Sequence, residues 1–407
     1  MTHRKVIVHV GAPKTGTSYV QDLLFSNRDA LADAGTLYPA DRFDAHFLAA
    51  LDLMEMQWGG LEKQAVGAWE RLAEQVRAWE GTVIVSHEIL ATATPGQVRR
   101  AIASFGDPAE TEVHVLLSAR DLVRQIPAEW QENVKHRRIV SYRDYLDKVT
   151  DPRRRGALAS WFWGVQEVPD ILDRWGATLP AERVHVLTVP PPDAPRGLLW
   201  ERFASVFGLD ATAYSDSNSR HNPSLGVPET ALIRRINERV NNGVLANEDY
   251  RQFVRELLAH QHLSNRHDSP RLMLPPDVRT WAAEVSETWI AVLKAREYDV
   301  VGTLDDLRPA PADTEPEFVD PDAADEDLVA DASLQAVVTL LQESARLQAS
   351  EHALREELHA ATRELDRTRG LWFRVKRRLV RAADTNPVAA RGLAVYRRLR
   401  GRSSRSA

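Results

Sequence analysis

Apolar positions along roughly the first 300 residues follow two periods in turn. Runs rich in β-branched residues at 5–10, 82–86, 113–118 and 184–188 read as short buried strands. Between them the apolar residues recur every three or four positions. Tyr19, Val20, Leu23 and Leu24 open a helix at Thr17, and Leu61, Ala65, Trp69, Leu72, Val76 and Trp79 mark another over 61–80. Further helices are expected at 46–56 and 97–105, from just after Asp121 to about Lys135, from Trp161 to Trp175, and at 198–207, 228–241, 249–260 and 275–296. Continuous apolar strands alternating with helices predict the α/β class, with a parallel sheet covered by helices on both faces. Such sheets bind ligands at the carboxyl ends of their strands. Attention therefore falls on the residues that follow Val10, Ser86 and Ser118.

The first strand runs into Gly11-Ala12-Pro13-Lys14-Thr15-Gly16-Thr17-Ser18. Gly11, Pro13 and Gly16 interrupt regular structure before the helix begins. A strand, a glycine loop and a helix N-terminus aim several backbone N–H groups at one point. The helix dipole and Lys14 add positive charge there, and Thr15, Thr17 and Ser18 add hydroxyls. The stretch reads as an anion cradle suited to a phosphate, the alternative being an ordinary tight turn. A Walker A loop places lysine directly after its second glycine, whereas Lys14 precedes Gly16.

In its order of residues the loop resembles the 5′-phosphosulfate loop of sulfotransferases that use 3′-phosphoadenosine 5′-phosphosulfate (PAPS). The resemblance extends over roughly residues 1–300. It implies a P-loop-like fold, PAPS as co-substrate, no metal, and transfer of a sulfuryl group to an acceptor hydroxyl. A carbohydrate or glycolipid is the expected acceptor. By this resemblance Gly11, Pro13, Lys14, Thr15, Gly16, Thr17 and Ser18 hold the 5′-phosphosulfate, and Lys14 follows the charge onto the leaving phosphate. Arg120, in Ser118-Ala119-Arg120-Asp121, is similar to the arginine that binds the 3′-phosphate, with Ser118 beside it. The family carries a serine eight residues further on, where this chain has Ala128. Ser118, Arg124, Lys135 or the loop 219–222 are the candidates to replace that hydroxyl.

Glu88, in Val85-Ser86-His87-Glu88, resembles the strand-end glutamate that some carbohydrate sulfotransferases use as base. An ordinary glutamate pKa near ~4.3 needs burial to make an effective base. His46 and His87 are the alternatives, because imidazole titrates near neutrality. Trp130, Trp161 and Trp163 are read as core, with stacking on adenine or a sugar as the other reading. The clusters at 136–138 and 153–155 are read as solvated charge, with a rim for an anionic acceptor as the other reading. Two rival classes stay open. One is a nucleotide kinase or NTPase, which needs a strand-end Asp for magnesium. The other is a non-catalytic scaffold of the same fold.

The chain has 407 residues, a net charge of −6 and no cysteine. Its length allows one large domain with appendages, and its charge does not suggest a nucleic-acid binder. Without cysteine neither disulfides nor cysteine–zinc sites form. No apolar run reaches membrane-spanning length and no apolar leader precedes the first strand, so a cytoplasmic enzyme is the expectation. The charge is unevenly spread. Residues 305–331 hold eleven acids against Arg308, and residues 369–407 hold twelve Lys or Arg against Asp384.

The expected division is an α/β domain at 1–304, an acidic, proline-rich, disordered linker at 305–332, an amphipathic helix at 333–368 and a basic tail at 369–407. Leu340, Leu347, Leu354 and Ala361 recur every seven residues, with Leu358 and Leu365 between them. That helix is either a coiled-coil seam for a homo-oligomer or an arm folded on the body. The tail sets Trp372, Val375 and Leu379 on one helical face among cations. Such a face suits peripheral contact with the inner face of a membrane, and equally a polyanion, a protein partner or plain solvent.

Overall fold

Val6, Ile7 and Val8 are fully buried, which places the first strand in the middle of the molecule rather than at an edge. In this computed structural model, β1 (Arg4–His9) pairs in parallel with β3 (Thr82–Ser86) on one side and β4 (Thr111–Ala119) on the other. β2 (Thr36–Leu37) flanks β3, while β5 (Val184–Thr188) and β6 (Asp299–Val301) extend the sheet beyond β4. The resulting order is β2-β3-β1-β4-β5-β6, all parallel. The structure describes residues 4–195, 197–214, 224–266, 268–311 and 316–385, with 388, 391–392 and 395. The expected loop at 219–222 and most of the basic tail lie outside the described residues.

The sheet divides the body into two apolar layers. On one face Val6, Val8, Val85 and Val115 share a core with α2 (Ala45–Met54), α3 (Ala68–Ala78), α4 (Pro95–Ser104) and α5 (Leu122–Lys135). On the other, Ile7, Ile84, Leu116 and Leu187 share one with α1 (Thr17–Ser26) and α6 (Leu198–Phe207). The α/β class with both faces covered is what the strand and helix periods predict. The chain passes from β3 to β4 across β1, so the loop after β1 sits where the strand order reverses.

Several helices differ from the sequence expectation for local reasons. The run 61–80 breaks at Gly67, which takes φ +74°, into a short turn at Glu62–Ala65 and α3. The run through Trp161 divides at Glu167 into Ala157–Gln166 and Val168–Trp175, where Pro169 removes a helical donor. The expected helix at 249–260 is a π-helix, Tyr250–His262.

The acidic segment corrects the expected linker. Its described residues are ordered and bound to the body. Leu307 is fully buried, and the Asp322 carboxylate accepts from the Tyr142 and Arg143 N–H groups, both at 2.9 Å. Those two N–H groups belong to the first turn of the helix Tyr142–Thr150, whose orphan donors and positive pole an aspartate satisfies. Glu326 pairs with Arg235 and Asp331 with Arg266. The chain divides into the units Met1–Ala336 and Val337–Ala407 rather than at residue 304. A helix, Glu326–Thr385, starts earlier and ends later than expected. Its first turns bury Val329, Ala332 and Ala336 in the body core. In the second unit Leu340, Leu347, Leu354, Leu358 and Leu365 are exposed.

Candidate functional site

The loop after β1 folds as a shell with its hydroxyls turned two ways. Gly11 takes φ +133°, and a side chain there would meet the Glu88 carbonyl at 3.1 Å. Gly16 takes φ +87° as N-cap of α1, and a Cβ would meet Leu199 at 2.5 Å. No side chain caps α1, so its leading N–H groups are left for an anion. Thr15 points inward, donating to the Ala12 carbonyl at 2.6 Å and meeting Ser118 at 2.5 Å. Ser18 is exposed at the helix mouth and Thr17 is buried. The Pro13 carbonyl accepts from Gln125 and Gln166, which fixes the outer limb of the loop.

Ser118 does not face a ligand, which corrects its expected place at the 3′-phosphate. It is fully buried, and its hydroxyl lies 2.8 Å from the Gly11 carbonyl and 3.3 Å from His9 Nε2. His9 links Ser118 to Ser86, 2.8 Å from its Nδ1. Burial pushes the His9 ring down to about 4, so it serves as a neutral bracket beneath the loop. The sequence signal for it is a polar residue ending an otherwise apolar strand.

Lys14 stands at φ +62°, a backbone region that side chains other than glycine enter at a cost. Its ammonium meets Glu132, on α5, at 2.6 Å. The same carboxylate takes His136 at 3.0 Å and Arg255 at 3.2 Å. Burial opposes its charge, but Lys14 and His136 hold it well below the usual carboxylate range. One turn earlier, Glu129 is buried beside Gln166 at 3.0 Å. Burial pushes Glu129 up to about 7, outweighing the pull of Lys14.

At the end of β3, Glu88 accepts from the Gln21 amide at 3.0 Å. Burial works against its charge, yet the nearby His87 and the Gln21 amide leave its carboxyl below the usual range. Glu88 is only half-buried at this sheet edge, and its carboxyl lacks the upward shift that makes a glutamate an effective base. His87 accepts the Ile89 N–H on Nδ1 at 3.3 Å, so its Nε2 carries the proton, 4.0 Å from Glu88. His46 is corrected as a candidate base. It is buried, its Nδ1 accepts the Ser86 N–H at 3.1 Å, and its Nε2 donates to the Pro39 carbonyl at 3.1 Å. Burial takes this ring to about 4, and neither nitrogen is left for substrate.

Arg120 is partly exposed at the end of β4. Burial of its guanidinium, with Arg124 adjacent, lowers it to about 10. Its Nη2 donates to the Arg124 carbonyl, and its Nε has no partner among the described residues. Asp121 pairs with Arg124 instead and caps α5, so Arg124 is not spare for a phosphate. Trp130 and Trp163 are core, each donating to a backbone carbonyl. Trp161 is half-buried and closes an aromatic file: His87 stacks on Phe47 at 5.0 Å, Phe47 meets Trp58 at 5.7 Å, and Trp58 meets Trp161 at 5.8 Å. Arg137 and Arg154 are structural, spent on Asn241 and Asn247 and on Glu167 and Trp163 respectively.

Among the described residues no group of three or more His, Asp or Glu is placed to hold a metal ion. No helix among them is long and apolar enough to cross a membrane. No protein-family model and no curated protein matches the chain. Among solved structures it is similar to one described as the crystal structure of a sulfotransferase from Alicyclobacillus acidocaldarius. The identity is 17%, the match covers 72% of this chain and 95% of that one, and the TM-score is 0.41.

Proposed function

We propose that the chain is a sulfotransferase that moves a sulfuryl group from PAPS to a hydroxyl of a carbohydrate-like acceptor. The observation that carries this reading is the loop itself: an uncapped helix N-terminus, two glycines at positive φ where a side chain would be strained, and a strained lysine over the mouth. The 5′-phosphosulfate fits the N–H groups of residues 16–18 with Ser18 at the rim. The acceptor oxygen attacks sulfur and its proton passes to Glu88. The bond from sulfur to the 5′-phosphate oxygen breaks, and the electron pair leaves with 3′-phosphoadenosine 5′-phosphate (PAP), beside Lys14. Arg120 is the cation for the 3′-phosphate. The aromatic file from Phe47 to Trp161 offers an apolar wall on the Glu88 side, suited to a sugar ring.

Titration with PAP and with ATP plus magnesium tests the donor. PAP alone should bind; tight binding of ATP only with magnesium would favour a kinase or NTPase instead. With the donor established, Glu88→Gln should leave PAP affinity unchanged and lower turnover steeply, by about a hundredfold or more. Turnover equal to that of the parent chain would remove Glu88 as base.

A further inference from the structure

The second unit, Val337–Ala407, contains most of the helix Glu326–Thr385. Its leucines are uncovered: Leu340, Leu347, Leu354, Leu358 and Leu365 are between 39% and 65% exposed. Most helices owe their stability to an apolar face packed on something, so this face calls for a partner. The spacing says what kind. Leu340, Leu347, Leu354 and Ala361 take one seam position of a seven-residue repeat, and Val337, Ser344, Glu351, Leu358 and Leu365 take the other. A straight helix drifts about 20° per heptad from such a repeat, or about 80° over the four heptads from Val337 to Leu365. A flat docking surface would lose the stripe over that length, whereas a supercoiled helix keeps it.

Two features select a second copy of the same helix. Ser344 and Glu351 are polar and both stand at the first seam position, a. In a parallel, in-register pair a meets a, so each of them faces its own counterpart rather than a leucine. Glu351 also brings a cation with it, since Arg355 lies 2.7 Å away on the same helix. The flanking positions agree. Parallel pairing sets Glu343 beside Gln348, Ser350 beside Arg355 and Glu357 beside Thr362 across the seam, with no like charges opposed. An antiparallel pair of the same overlap would set Glu351 on Leu354 and Glu343 beside Glu364.

We propose that residues 337–365 form a parallel, in-register, two-stranded coiled coil between two copies of this chain. The proposal does not use the sulfotransferase reading and stands or falls apart from it.

Sedimentation equilibrium of the full chain tests the mass, which should be twice 45.8 kDa. Leu358→Asp puts a charge into the seam. It should raise the dissociation constant about a hundredfold or more, with the melting temperature of the body unchanged. Glu351→Leu removes a polar layer and should lower that constant about tenfold or more. Disulfides read the orientation, and a chain without cysteine accepts them one at a time. Leu340→Cys and Leu365→Cys, each alone and mildly oxidised, should cross-link to their own copies. Ala349→Cys, on the outward face, should not. In the antiparallel pair the two copies of residue 340 would stand about 37 Å apart, and only a mixture of the two seam variants would cross-link. A single-chain mass, which would leave the stripe to another protein or to a membrane, overturns the proposal. So does a mass of three or more copies, a dimer that Leu358→Asp leaves intact, or cross-linking confined to the mixture.

Discussion

Lys14 shows what a single residue costs and supplies at this site. Its left-handed backbone is worth about 1 kcal/mol or more of strain, and its ion pair with Glu132 is partly exposed and therefore contributes little. Lys14→Gly relieves the strain as it removes the charge. Its melting temperature should stay close to that of the parent chain, while turnover of PAPS falls about a hundredfold to a thousandfold. An unfolded variant, or one with normal turnover, would contradict the assignment. Glu129 gives a prediction in pH. Its pKa is raised in the fold, from an ordinary 4.5 to about 7, chiefly by burial. A raised value means that the neutral form is favoured by folding. That contribution is complete below the unfolded pKa and is lost as pH climbs through 7. Glu129→Gln mimics the neutral carboxyl and retains the Gln166 contact. It should therefore raise the melting temperature more at pH 8 than at pH 5; equal gains at both would mean that Glu129 is already ionised in the fold at pH 5 and that its pKa is not raised.

At the scale of elements, α5 organises the site as much as the loop does. Ala128, Glu132 and Lys135 fall four and three residues apart and share one helical face, with Glu129 on the adjoining one. Ala128→Ser should restore the hydroxyl that the resemblance leads one to expect beside Arg120. The expected outcome is PAP binding tightened severalfold, with adenosine 5′-phosphosulfate unaffected; tightening of both alike would place residue 128 away from the 3′-phosphate. The loop and α1 were legible in the sequence because their chemistry is local: Gly11, Lys14, Gly16 and the hydroxyls stand within eight positions. The α5 face was not, since Lys14 and Glu132 are 118 residues apart and only the fold joins them. β2 and β6, of two and three residues, are too short to show a period. The π-helix reads as an ordinary helix because its buried positions, Tyr250, Val254 and Leu258, recur every four residues, a spacing that either period accepts. His46 was readable only as a titratable ring. Its capture by two backbone groups depends on where β3 ends.

Across the whole molecule the uneven charge has a structural use at one end. The acidic residues from 305 to 331 read as a disordered linker because they are charged, proline-interrupted and poor in large apolar groups. Composition counts charges but does not see the partners waiting for them. Asp322 closes the first turn of the helix Tyr142–Thr150, Glu326 meets Arg235 through two bonds, and Asp331 meets Arg266. Just beyond, Val329 and Ala332 enter the core. The body therefore ends at Ala336, not at residue 304. A chain ending at Pro309 would lose every one of these contacts. Asp322 alone satisfies two helix N–H groups with a charged acceptor, and Val329 buries a full side chain, so the loss should exceed about 3 kcal/mol. A chain ending at Ala336 should unfold at the same temperature as the body of the intact protein and bind PAP with the same affinity. The chain ending at Pro309 should melt lower, and exchange at the Tyr142 and Arg143 amides should become fast. If the two truncated chains melt together, the segment from 310 to 336 adds nothing to the body, and the boundary returns to residue 304.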